Sequence, residues 1–285
     1  MAADAEPIDP SPAAGAPIDE VEALRRLSQS EDLSAQYYAA WWLGRMRSQN
    51  PEALRLLCQA LGQRQPRQAE AGVEANAVAR NAARALGKLG QAGAIPHLLQ
   101  ALDDPDDGLR EAAARSLGEL RASAAVEPLC SRLASGPTVA GAPQPKSSRL
   151  QEPCEAMLEA LGDIGRSEAQ VLAVIESFVT HERPLIHSAA CRALLQLTGD
   201  SRWGEQLLAL LEHPQLQVRR AALMDLGAAG WRPALEPIRR TLAENSLKLM
   251  ALRGLVENGD SAAGAGAARL DDDTTALLAV MDDLL

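Results

Sequence analysis

The sequence predicts an all-α protein built as a stack of about seven helix pairs. Three observations carry this. Apolar residues make up 47 % of the chain and aromatic ones only 2 %, and the apolar share is mostly Ala, Leu and Val, a helical composition. One pattern, a helix with small residues in its middle and a Leu before a Gly, recurs along the chain. A shorter segment with apolar residues at helical spacing precedes most copies.

The pattern reads "AQYYAAWWLGRM" (35–46), "ARNAARALGKLG" (79–90), "LREAAARSLGEL" (109–120), "CEAMLEALGDIG" (154–165), "HSAACRALLQLTG" (187–199), "VRRAALMDLGAAG" (218–230) and "LKLMALRGLVENG" (247–259). Its anchor, the residue after the Leu, is Gly44, Gly87, Gly118, Gly162, Leu195, Gly227 and Val256. The unit is therefore about 31 residues, lengthened twice by about a dozen. The shorter helices are "AIPHLLQAL" (94–102), "AAVEPLCSRL" (124–133), "AQVLAVIESFV" (169–179), "GEQLLALL" (204–211) and "ALEPIRRTL" (234–242). Pro96, Pro128 and Pro237 fall in their first turns, where a missing N–H costs nothing.

Paired helices at this period predict a HEAT-like (armadillo-type) solenoid, a right-handed α-α superhelix. One pair cannot cover its own apolar face, so a core forms only by stacking. The solenoid is expected to span 18–285 as a single unit, after a disordered tail over 1–17. Two polar insertions, 62–76 and 134–149, lie between the helices of their pairs and should decorate one rim, either as tolerated surface loops or as a grip on a partner. "DDDTTALLAVMDDLL" closes the chain as a capping helix with acidic residues at its positive end.

Composition excludes several function classes. The net charge of −10 disfavours binding to nucleic acid or to an anionic membrane surface through the overall field. No apolar run is long enough to span a bilayer, and residues 1–20 lack the basic and apolar regions of a secretory signal. Cys58, Cys130, Cys154 and Cys191 have no metal-ligand spacing and read as free thiols in a reducing cytoplasm. No metal site is expected. There is no P-loop, GxGxxG, HExxH or GxSxG motif. The repeats by themselves support a concave binding surface.

Aligning the second helices on their anchors maps that surface. The inward positions are Tyr37/Trp41, Arg80/Arg84, Glu111/Arg115, Glu155/Glu159, Ser188/Arg192, Arg220/Met224 and Leu249/Arg253. The arginines suit either a ligand carrying carboxylates or a ladder of ion pairs between repeats. Arg219 suits the structural role better than Arg220. Tyr38 and Trp42 occupy positions that later repeats fill with small residues, so they are expected to close the open end under the N-terminal helix. Tyr37 and Trp41 are expected to be exposed, as a ligand or partner surface. Asp225 sits in a small-residue slot, either as a proton donor or pyrrole N–H acceptor, or as a satisfied hydrogen bond between repeats.

The segments "SAQYYAAWWLGRMR" (34–47), "RNAARALGKLG" (80–90), "LTGDSRWG" (197–204), "LQVRRAALMDLGAAG" (216–230) and "AENSLKLMALR" (243–253) resemble the E subunits of the cyanobacterial E/F-type phycobilin lyases, and among them those of the phycocyanin α-subunit phycocyanobilin lyases. The resemblance runs from about residue 20 to the end of the chain. It implies a cytoplasmic heterodimer with a homologous F-type subunit that attaches phycocyanobilin, an open-chain tetrapyrrole, to a cysteine of apo-phycocyanin α through a thioether. The bilin is then substrate, with no tightly bound cofactor, and the acceptor cysteine is not this chain's. Tyr37 and Trp41 would stack on the bilin, and Arg80, Arg84, Arg192 or Arg220 would pair with its propionates. Two other readings remain: a non-catalytic scaffold or adaptor for phycobilisome proteins, and a lyase for a different bilin or phycobiliprotein.

Overall fold

The computed structural model describes residues 18–29, 31–63, 76–145, 147, 149–259 and 272–285. Among these the chain forms seven helix pairs and a closing helix, with no β-strand. The pairs are α1 (Glu20–Gln29) with α2 (Leu33–Arg45), α3 (Pro51–Gly62) with α4 (Ala77–Leu89), and α5 (Ile95–Ala101) with α6 (Asp107–Glu119). Next come α7 (Val126–Leu133) with α8 (Cys154–Ile164), and α9 (Ala169–Glu176) with α10 (Pro184–Thr198). The last two are α11 (Ser201–Leu210) with α12 (Leu216–Ala229) and α13 (Leu235–Arg240) with α14 (Asn245–Gly259). The closing helix α15 (Asp272–Asp283) packs on α14, as the capping reading expected. The predicted tail over 1–17 and most of the insertion at 62–76 lie outside the described residues.

The helix starts follow local chemistry. Asn50 accepts a hydrogen bond from the Glu52 N–H at 3.0 Å and is followed by Pro51 at the first helical position. Asp106 caps α6 by accepting from the Leu109 N–H at 3.1 Å. These caps satisfy donors that a helix end leaves unpaired.

The second helices stack side by side, α2 on α4 and so on to α14, and form the inner layer. The anchor glycines set that spacing. A Cβ on Gly44 would lie 2.7 Å from the Cα of Ala85, one on Gly87 2.8 Å from that of Ser116, and one on Gly118 2.9 Å from that of Ala160. In each contact a small residue two places before the next anchor sits on the glycine's backbone. One seam departs from this rule. The anchor of α10 is Leu195, and the residue two places before the α12 anchor is Asp225, so neither side offers the small surface. There α10 and α12 meet less closely than their neighbours do.

Two expectations need correction. Tyr38 does not close the open end: it is 62 % exposed. In the repeats that follow, the matching Asn81, Ala112, Ala156 and Ala189 are buried, and Asn81 donates to the Tyr37 carbonyl at 2.8 Å. Among the described residues no second helix precedes α2, and α1 packs on α2 without covering Tyr38. Trp42 does pack against the core, half-buried. The second insertion is also more than a surface loop. It folds back on itself, with Gln151 N–H donating to Ala142 O at 2.8 Å and Glu152 N–H to Ala140 O at 3.0 Å. Ala140 is fully buried, and Arg149 is tied to Asp107 of α6 at 3.0 Å.

Candidate functional site

A groove of about 620 Å³ crosses the inner layer from α4 to α12. Its charged lining comes from Arg80 and Arg84 (α4), Asp107, Glu111 and Arg115 (α6), Glu155 and Glu159 (α8), Arg192 (α10) and Asp225 (α12), with Arg149 and Arg183 at the rim. Leu150, Leu185 and Met224 supply apolar wall. The four-residue frame of the inner helices is what brings these side chains together, since positions i and i+4 share a face.

The residues singled out in the sequence have different surroundings. Arg84 is exposed and carries no ion pair among the described residues. Arg80 is held by Asp106, with Nη2–Oδ2 at 2.5 Å and Nε–Oδ1 at 3.2 Å, and Asn76 donates to the same carboxylate at 2.9 Å. Their side chains are only 12 % and 1 % exposed, so the pair is part of the wall. Arg220 lies outside the groove lining and pairs with Glu244, the residue just before α14. Arg219 donates to the backbone carbonyls of Leu242, His213 and Pro214, the structural role expected of it. Tyr37 and Trp41 are exposed on α2, in the same register as the groove residues but beyond its lining. They join Tyr38 in an edge-to-face row, with ring centroids 6.4 Å and 6.3 Å apart.

Arg192 and Asp225 belong to a buried charge network at the floor. Arg192 Nη2 donates to Asp163 Oδ1 at 2.6 Å, while its Nη1 is 3.7 Å from both Glu159 Oε2 and Asp225 Oδ1. Ser188, expected beside Arg192 on the open face, is instead fully buried between α10 and α12. There it donates to Asp225 Oδ2 at 2.5 Å. The looser seam at Leu195 is what admits this pair. Arg115 completes the network through Glu111 and Glu159. Burial, the largest effect, pushes the Glu159 carboxyl up to about 7 against the pull of Arg115 and Arg192, with Asp225 adding to the rise. Burial raises Asp225 as well. Sequence reasoning placed Glu159 on the inner face without assigning it a role, and missed Asp163 and Arg149.

Among the described residues no group of three or more His, Cys, Asp and Glu could hold a metal ion, and no helix is long and apolar enough to cross a membrane. Burial pushes the Cys154 and Cys191 thiols up to about 12 and raises those of Cys58 and Cys130, so none is set up as a thiolate.

Known proteins share this architecture and sequence. Residues 73–140 match the HEAT repeat family, and residues 35–63 and 218–244 match the PBS lyase HEAT-like repeat. The chain is 47 % identical to the bilin biosynthesis protein RpcE of Synechococcus sp. WH8020, over 86 % of this chain and 91 % of that protein. It is 44 % identical to the phycocyanobilin lyase subunit alpha of Picosynechococcus sp. PCC 7002, over 93 % and 95 %. A chain in the solved complex of CpcE and CpcF of phycocyanin lyase from Nostoc sp. PCC7120 superposes with a TM-score of 0.83 at 39 % identity, covering 98 % of this chain and all of that one. End-to-end similarity of this degree, on the same stack of repeats, means that the chain belongs to the family of phycocyanobilin lyase alpha subunits, the E-type subunits of the phycobilin lyases.

Proposed function

We propose that this chain is the E-type half of a heterodimeric bilin lyase. With an F-type partner it attaches phycocyanobilin, through a thioether, to a cysteine of the phycocyanin α subunit during phycobilisome biogenesis. The observation that carries this is the end-to-end match to a chain solved as one member of a CpcE–CpcF complex.

The groove fits the task. A bilin has flat apolar rings and two propionates. The groove volume lies within the roughly 300–1,000 Å³ typical of small-molecule sites. Arg84, which has no ion pair among the described residues, is open to a propionate, while Arg80 and Arg192 already hold carboxylates of the chain itself. Arg220 sits farther along, in an exposed pair of the kind that exchanges partners at little cost. Tyr37 and Trp41 extend the inner row as a stacking surface for the bilin or for the F-type subunit. The chain's own raised thiols leave the nucleophile to the acceptor protein. Catalysis then rests on holding the bilin and the acceptor cysteine in register. The reading places the heterodimer in the cytoplasm, where free thiols stay reduced.

Co-expression of this chain with its F-type partner, apo-phycocyanin α and the bilin pathway tests the proposal. A covalent, zinc-fluorescent bilin on the α chain is expected, and its absence sinks the lyase reading. The RpcE relative carries a different name from the others, so the mass and absorbance of the adduct are the readout that fixes the bilin.

A further inference from the structure

The floor of the groove holds more negative than positive charge. Around Glu159, α6 contributes Glu111 and Arg115, α10 contributes Arg192, α12 contributes Asp225, and α8 itself adds Asp163. Four carboxylates thus share two guanidiniums in a site where Glu159 and Asp225 are only 16 % and 8 % exposed at their side chains. Desolvation makes a fully ionised cluster of this composition costly, and the least stabilised carboxyl keeps a proton.

Geometry singles out Glu159 for that proton. Both of its guanidinium contacts, from Arg115 and Arg192, fall on Oε2, and Oε1 has no hydrogen-bond partner among the described residues. Asp225, by contrast, accepts from Ser188 on Oδ2 and faces Arg192 with Oδ1. Glu159 also lines the groove on the helix midway along it. Arg192 Nε–H is buried without an acceptor, so the network keeps unused donor capacity when Glu159 loses its proton.

We propose that Glu159 is the general acid of bilin attachment, delivering a proton to the conjugated tetrapyrrole as the acceptor thiolate adds to it, and that Asp225 acts as a positioning residue whose charge keeps that proton on Glu159. The proposal rests on the lyase reading. The acceptor thiol loses its proton to solvent, and its sulfur forms a bond to the exocyclic ethylidene carbon of the bilin. The displaced C=C electron pair moves into the conjugated system and takes up the Glu159 proton. Solvent at the groove mouth reprotonates Glu159. The sum is addition of a thiol across a double bond, with no oxidant or reductant required.

The test uses the purified heterodimer with apo-phycocyanin α and phycocyanobilin, in single-turnover attachment at a series of pH values. The wild-type rate is expected to fall on the alkaline side with a midpoint near the value of about 7 given by the buried carboxyl. Glu159→Gln should lower the rate by about 100-fold or more, abolish that alkaline limb and leave bilin binding, read by absorbance titration, unchanged. Glu159→Asp should restore part of the rate. Asp225→Asn should move the limb to lower pH without removing it. An unchanged rate and limb in Glu159→Gln overturns the proposal, as does a loss of bilin binding that accounts for the whole rate effect. An activity-free arm covers a variant that folds poorly. Infrared spectra of the bilin-free wild-type heterodimer at pH 6 should contain a protonated-carboxyl band that disappears at pH 8.5. Its absence refutes the proposal even where attachment proceeds normally, whereas a wild-type heterodimer that attaches nothing refutes the lyase reading.

Discussion

Replacing Arg80 with Met separates a wall residue from a ligand-binding one. Its guanidinium and the Asp106 carboxylate form two hydrogen bonds with the side chains 12 % and 1 % exposed. Removing one partner of a buried pair costs about 3–5 kcal/mol because the other charge stays behind, whereas an exposed pair contributes about 0–1 kcal/mol. Asp106 keeps Asn76 and the Leu109 N–H after the substitution, so the lower end of that range, about 3 kcal/mol, is expected. Asp106→Ala should cost more, since it also removes the α6 cap, worth about 1 kcal/mol. Denaturant unfolding followed by circular dichroism measures both. The pH dependence gives a second reading. Burial opposes ionisation of Asp106, but Arg80 and Asn76 together hold its pKa below the ordinary 3.8. The contribution of the pair is therefore complete above that value and lost as pH falls through the lowered one. Wild type should lose this stability in acid, and Arg80→Met should show a shallower acid limb. A cost below about 1 kcal/mol, as for an exposed pair, combined with abolished bilin attachment, would refute the reasoning and make Arg80 a ligand contact.

Three further outcomes are expected. Arg84→Ala should leave the melting temperature unchanged and weaken bilin binding by about tenfold, as for loss of one charge-assisted hydrogen bond. Gly118→Ala should destabilise by about 1–3 kcal/mol, since its Cβ would meet the Ala160 backbone at 2.9 Å, and thermal unfolding reads this directly. Tyr37→Ala and Trp41→Ala should weaken bilin or F-subunit binding more than they lower the melting temperature. Loss of binding that tracks unfolding would return the pair to a packing role.

Periodicity made most of the fold legible. The anchor frame located all seven inner helices, and the same frame put Arg84, Arg115, Glu159 and Arg192 on one face. What it did not convey were contacts that cross the period. Arg80 is engaged by Asp106, 26 residues further on, a partner that the inward positions do not include. Ser188 has an inward register but is drawn into the α10–α12 seam by Asp225. A signal for that seam was present in the sequence, where Leu195 and Asp225 replace a glycine and a small residue on opposite sides of one contact. The fold-back that carries Arg149 to Asp107 left no such trace, because an insertion has no repeat to be compared with. Tyr38 was misjudged because the N-terminal helix was expected to cover it in place of a preceding repeat, whereas α1 packs on α2 and leaves Tyr38 exposed.

The uneven placement of tryptophan has a spectroscopic consequence. Trp41 and Trp42 sit on the first inner helix, one exposed and one half-buried, while Trp203 and Trp231 sit in the last third of the chain, with Trp203 only 6 % exposed under the Arg202 guanidinium. No tryptophan or tyrosine falls between residues 43 and 202. Emission from the two ends differs in solvent contact, and the four inner helices between them, α4, α6, α8 and α10, are optically silent. Stacked repeats interact mainly with their neighbours and can unravel from either end. The chain therefore reports, without any label, which end frays first, and a red-shifted component quenched by added bilin would come from the first repeat alone.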